Sequence, residues 1–278
     1  MNSFILKATL AIAFCVGLFA SQAIAVEVDC SENQSLQQAV DTAPPANGEI
    51  YTIHFQGTCE ETVTIRRDNT WFDGGGIGTI SGTIRVFNSD SVRLINLTVT
   101  GPGNGLIVND GEAQLFGVTV TGNELNGISA RRQGSVWVTN GTIISANGNS
   151  GAYLDAAILD VNDATFEGNT VDGILAVSGS KVILANARIL GNQGAGVAVT
   201  LHSIVDIRSG SLVAGNGQAH RGRGYGGLGV LARLDSGVWI SQENVEITDR
   251  IVCKDFESSF HTDHEWPAGL VYCSGFNW

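Results

Sequence analysis

Hydrophobic and polar positions alternate along the chain in short runs, and the runs recur at a fixed spacing. The segment Gly191-Asn192-Gln193-Gly194-Ala195-Gly196-Val197-Ala198-Val199 shows the unit: a turn built on Asn, a closing Gly, then an alternating apolar strand. Its turn asparagine belongs to a column, Asn123, Asn147, Asn169, Asn192 and Asn216, with separations of 24, 22, 23 and 24 residues. A period in this range is the signature of a solenoid. Each unit predicts three strands. The first points Leu106/Val108, Ile128/Ala130, Ala152/Leu154, Ile174/Ala176, Val197/Val199 and Val230/Ala232 inward. The second does so with Val92/Leu94 through Val238/Ile240, and the third with Leu97/Val99, Val118/Val120, Ile143, Phe166, Ile189, Leu212 and Val245/Ile247. The expected fold is all-β: a parallel β-helix of three strands per coil and eight or nine coils, spanning residues 50–250.

A second polar column, Asn96, Gly117, Asn140, Asp163, Asn186, Ser209 and Gln242, marks the bend between the second and third strands. Amides spaced by one strand separation are expected to bond to one another and to turn backbone. Both columns are therefore structural. The sequons at Asn96 and Asn140 fall inside this column and read as poor glycan acceptors.

The ends break the period. Residues 31–43 predict the one helix, with Leu36, Ala39, Val40 and Ala43 on one face, Ser31 or Ser35 as N-cap and Pro44-Pro45 as its stop. Within residues 26–49 it is placed to plug the open end of the core. Residues 251–278, rich in aromatics, are expected to form an irregular C-terminal cap. Residues 1–25, an apolar run after Lys7 followed by Ala23-Ile24-Ala25, read as a secretory signal peptide cleaved near Ala25. The expected location is secreted or periplasmic, and no later stretch is apolar enough for a membrane span. The remaining cysteines, Cys30, Cys59, Cys253 and Cys273, allow three pairings; local pairing, Cys30 with Cys59 and Cys253 with Cys273, would staple each end.

These residues resemble right-handed parallel β-helix proteins of the pectin-lyase-like superfamily. The Asn-x-x-x-Gly-Ile/Val-x-Val repeat, the leading helix and Asp73-Gly74-Gly75-Gly76 carry the resemblance over residues 30–250. It implies a working surface on the outer face of the first strands. The catalytic motifs that it would bring do not occur here: there is no Asp-Asp pair, no Gly-His-Gly and no Asp-Pro-His. Outward on that face stand Arg131, Tyr153, Asp155 and Arg233, beside the aliphatic Leu175, Val177 and Ala198. A turn eight residues longer than its siblings enters the same face and brings His220, Arg221, Arg223 and Tyr225. Arginine takes carboxylates and sulfates bidentately, so the expected ligand is a polysaccharide or cell-surface glycan, held by this face and the 217–228 insertion. The alternative is a divergent polysaccharide lyase or other polysaccharide-modifying enzyme; calcium would be a cofactor only for the lyase.

The formal net charge of −12 argues against nucleic acid as a partner and weakens the case for a uronic-acid polymer. His261-Thr262-Asp263-His264-Glu265 reads as a solvated loop rather than a metal site. Trp137 and Trp239 point outward from the second strands, and His54 and His202 have no partner that the sequence reveals.

Overall fold

The computed structural model describes residues 24–217, 228–240, 244–253, 258–262 and 271–273. The strands pair in parallel, each coil on the next. The first strands stack into a ten-stranded sheet, and the second and third strands into a fifteen-stranded one. The ten-stranded sheet gives a solenoid of about ten turns. The expectation of eight or nine falls short because Arg250–Cys253 and Val271–Cys273, in the segment expected to be an irregular cap, continue that sheet past residue 250. Ser259–Thr262 likewise extends the other sheet.

All the predicted inward pairs of the first and second strands are buried at 0–1% exposure, in one continuous core. Two third-strand assignments are corrected. Ile144 and Val213 point inward, whereas Ile143 is 38% exposed and Leu212 is partly exposed. In the first of these coils the bend takes two left-handed residues, Asn140 at φ 58° and Gly141 at φ 69°, where its neighbours take one, such as Asp163 or Asn186. The pairing register shifts there, between Thr139 and Thr142. Shifting a strand by one residue exchanges its two faces. The extra length places a hydroxyl in the corner: Thr142 Oγ1 accepts from the backbone N–H of Val118, as Ser211 Oγ does from Ala187.

The two polar columns are built differently. Asn123, Asn147, Asn169, Asn192 and Asn216 are buried at 0–1% exposure, and each of the first four donates Nδ2–H to the next Oδ1 at 2.9 Å. Each Oδ1 from Asn147 onward also accepts the backbone N–H of the preceding asparagine, and each Nδ2 reaches a backbone carbonyl, as Asn192 does to Phe166. The chain of amides ends on the buried carboxylate of Asp249, which takes N–H groups from Gly215, Asn216 and the Asn216 side chain. At the other end Asn123 Oδ1 has no hydrogen-bond partner. The closing glycine of the repeat makes this ladder possible. A Cβ on Gly173 would stand 2.8 Å from Asn192 Nδ2 and 2.5 Å from Gly196 O.

The second column is a bend rather than a ladder. Asn96, Asn140, Asp163 and Asn186 are exposed and share positive φ, the conformation that asparagine tolerates better than most residues. The expected amide-to-amide bonds along the column are replaced by contacts such as Asn186 Nδ2 to Asn162 Oδ1. The corner between first and second strands has a ladder of its own, Ser180, Ser203, Ser236 and Ser258, in which each Oγ accepts the N–H of the coil before.

At the N-terminus the helix is shorter than expected, Leu36–Asp41, capped by Ser35 and by the Glu61 carboxylate on its first N–H groups. Leu36, Ala39 and Val40 close the core as anticipated. Before the helix, Ile24–Asp29 forms a strand in register with Tyr51–Gln56, so the expected cleavage point at Ala25 falls inside it. Cys30 and Cys59 are bonded. Cys253 is also disulfide-bonded, and its backbone lies in register with Cys273. Among the described residues no helix is long and apolar enough to cross a membrane.

Two stability measurements follow. Asn169→Ala strands buried donors and acceptors on both neighbouring coils and is expected to cost about 3 kcal/mol, whereas Asn186→Ala, at an exposed bend, costs about 1 kcal/mol; urea unfolding monitored by circular dichroism separates them. Cys59→Ala opens the loop of 29 residues to Cys30 and is expected to lower stability by about 3 kcal/mol on the same assay.

Candidate functional site

Because the inward positions are spent on the core, chemistry on this fold is confined to outward columns and turns. On the ten-stranded sheet two such columns run along the solenoid. One carries Thr64, Arg85, Ile107, Ser129, Tyr153, Leu175, Ala198 and Leu231 in register. The other carries Phe87, Asn109, Arg131, Asp155 and Val177, with Arg66 before Phe87 and Thr200 and Arg233 beyond Val177.

The structure brings Arg131, Tyr153 and Asp155 together. Arg131 and Asp155 are direct neighbours across adjacent strands, and the Arg131 guanidinium lies over the Tyr153 ring, 5.2 Å from its centroid. The same pairing is repeated one end further along, where Arg66 lies over Phe87 at 5.2 Å. Between them Arg85 is exposed. Arg66, Arg85 and Phe87 escape the sequence analysis because it starts this face at Ile107. Carrying the period one coil back, to Ile84-Arg85-Val86-Phe87, is the signal that would have found them.

Arg233 does not join this group. It stands three strand steps from Asp155, about 14 Å along the axis. There it borders an apolar cleft of about 230 Å³ with Leu175, Ala198, Leu228 and Leu231. Ala195, Ala198 and Leu228 are buried there, in a cluster separate from the main core, and Leu175, Leu231 and Val252 pack against them. The Asp172 carboxylate borders the cleft and accepts the N–H of Ala195. His220, Arg221, Arg223 and Tyr225 lie outside the described residues; the chain resumes at Leu228, on the cleft wall.

Charge is therefore unevenly spread. Along the outward columns from Arg66 to Arg233 there are four arginines and one carboxylate, Asp155, in a chain whose formal net charge is −12. A guanidinium lying on an aromatic ring keeps its planar fork of donors free for a carboxylate or sulfate. Among the described residues no group of three or more His, Cys, Asp or Glu is placed to hold a metal ion. Of the expected solvated loop at 261–265, His261 and Thr262 lie in a strand instead, and residues 263–265 fall outside the described ones.

A family model described as "Right handed beta helix region" matches residues 82–248, more than half of the chain. The chain belongs to that family. Among solved structures this right-handed β-helix is similar to pectate lyase Pel9A, with 14% identity, 91% of this chain and 82% of that chain covered, and a TM-score of 0.58. It also matches an alginate lyase from Paenibacillus sp. str. FPU-7, with 14% identity, 91% and 99% covered, and a TM-score of 0.42. A third match is the periplasmic alginate epimerase AlgG, with 10% identity, 89% and 83% covered, and a TM-score of 0.39. None of the curated proteins matches the chain. At such identities the likeness is one of fold alone.

Proposed function

We propose that this β-helix binds an anionic polysaccharide along the outer face of its ten-stranded sheet, and that it holds the polymer without cleaving it. The observation that carries this reading is the row of arginines, two of them seated on aromatic rings, on one face of an acidic protein. Net charge only weakens the case for a uronate polymer; the local field is set by the side chains nearest the ligand, since exposed charges further off than about 10 Å are screened at ordinary salt. Parallel strands at about 4.8 Å keep Arg66 and Arg131 in one outward column and Arg85 in the adjacent one, a narrow strip that suits an extended chain of charged sugars. In this reading the 217–228 insertion, with His220, Arg221, Arg223 and Tyr225, adds to the same face. The disulfides fit an oxidising compartment, and the protein acts outside the cytoplasm, secreted or periplasmic.

The test is affinity electrophoresis of the purified protein in gels containing polygalacturonate, alginate or chondroitin sulfate. At least one of them is expected to retard it, less so at higher salt, and the double variant Arg85→Ala/Arg131→Ala is expected to weaken binding by about tenfold or more. Equal mobility in every gel, or retardation that ignores both substitutions, contradicts the reading. Ultraviolet absorbance of unsaturated sugars, followed in parallel, stays flat on this account; a sustained rise would establish the lyase alternative instead.

A further inference from the structure

The fifteen-stranded sheet has an outward column of different composition. Trp71, Arg93, Gln114, Trp137 and Asp160 stand in register on successive coils. Trp71 and Trp137 are three strand steps apart, about 14 Å, with planar polar side chains between them. Arg93 lies between two rings, 4.3 Å from the Trp71 centroid and 5.5 Å from that of Phe116. Two N–H donors in this group, Trp71 Nε1 and Arg93 Nε, are buried without a hydrogen-bond partner. Buried donors of that kind are costly unless something accepts from them. Trp137 is 36% exposed.

Beside Trp71 the sheet becomes concave. Glu27, His54 and Asp73 are in register on three consecutive coils and line a cavity of about 430 Å³, with Asp29 and Gln56 on the same wall. His54 Nδ1 stands 3.7 Å from Asp73 Oδ2. The opposite wall is a bulge after Asp73, where the pairing register shifts and Ile77 is 70% exposed. Asp73 Oδ1 accepts the N–H of Gly75 and holds the bulge in place. A side chain at Gly74 would meet Leu97 Cβ at 2.7 Å, so the bulge depends on glycine there. Bulges beside a concavity commonly re-aim side chains at a binding site.

We propose that this column and cavity form a second glycan site, separate from the arginine face and selective for uncharged hexose polymers. The apolar C–H face of one pyranose ring would rest on Trp137, and a second would pack against the exposed part of Trp71, one face of which Arg93 covers. Arg93, Gln114 and Asp160 would meet the hydroxyls between them, and the end of the oligosaccharide would enter the cavity at His54 and Asp73. Charge selects the ligand. The arginine face carries one carboxylate, whereas this site is bordered by Glu27, Asp73, Glu112 and Asp160, which disfavour a polyanion. Trp239 is the built-in control on the same column, because its ring is already stacked on His261, with centroids 5.4 Å apart and planes at 13°.

The experiment is affinity electrophoresis of the full chain in gels of hydroxyethylcellulose, xyloglucan and galactomannan. At least one is expected to retard the wild type. Trp71→Ala and Trp137→Ala are each expected to reduce that affinity by about tenfold, Trp137→Tyr to retain most of it, and Trp239→Ala to leave it unchanged. The arginine-face variant Arg85→Ala/Arg131→Ala should bind the neutral polymer like the wild type, which separates this site from the first. Unretarded migration in all three gels overturns the proposal. So does wild-type retardation of both tryptophan variants, and so does equal weakening by the arginine variant, which would make the two faces one site.

Discussion

The structure depends on one column of buried amides. Each asparagine of the series from Asn123 to Asn216 offers an N–H to the next coil and an oxygen to the coil before, and every amide faces the same way. Aligned hydrogen bonds in a low-dielectric interior polarise one another, so the column has a donor end and an acceptor end. The donor end is closed by a carboxylate, Asp249, whose two oxygens collect three N–H groups. The acceptor end, Asn123 Oδ1, has no partner, because the coil before it places Pro102 at the equivalent position and proline carries no donor. The ladder thus fixes how coils stack and where the series of identical turns stops.

The repeated architecture leaves its inside no freedom and its outside almost complete freedom. Inward positions are mostly Val, Ile, Leu and Ala, with a few phenylalanines, one tyrosine and two cysteines towards the ends, since each must fit the coil above and below. Outward positions differ from coil to coil, and in parallel register each one lines up with its neighbours. That is how an acidic chain comes to have an arginine row on one sheet and a tryptophan row on another. It is also why the carboxylates near His54 gather in space although Glu27, His54 and Asp73 are far apart along the chain.

Much of the fold was legible because its determinants are periodic. The asparagine column, the glycine that follows it and the inward alternation of the first two strands repeat too often to miss. The misreadings arose where the period changes by one residue. At Ile143 and Leu212 a longer bend moved the neighbour inward, and an alternation rule gives no warning of that when two apolar residues stand side by side. The coils past residue 250 were undercounted because the turn before Arg250 carries Asp249 where the repeat has asparagine. The serine corner went unnoticed since a small hydroxyl at a bend looks like any turn residue. The arginine face was half legible: Arg131, Tyr153 and Asp155 follow from parity, whereas Arg66 and Arg85 required extending the register into an irregular coil. The cavity beside Trp71 was not legible, because its wall is a bulge and its acids come from three separate coils.

The most direct test of the central claim is hydrogen exchange of the asparagine side-chain amides, followed by nuclear magnetic resonance in the folded protein. If the ladder is continuous and buried, the Nδ2 protons of Asn147, Asn169 and Asn192 exchange only through global unfolding, at the rate of the slowest core backbone amides. Exchange at the rate of exposed side chains such as Asn96 and Asn186 would contradict it.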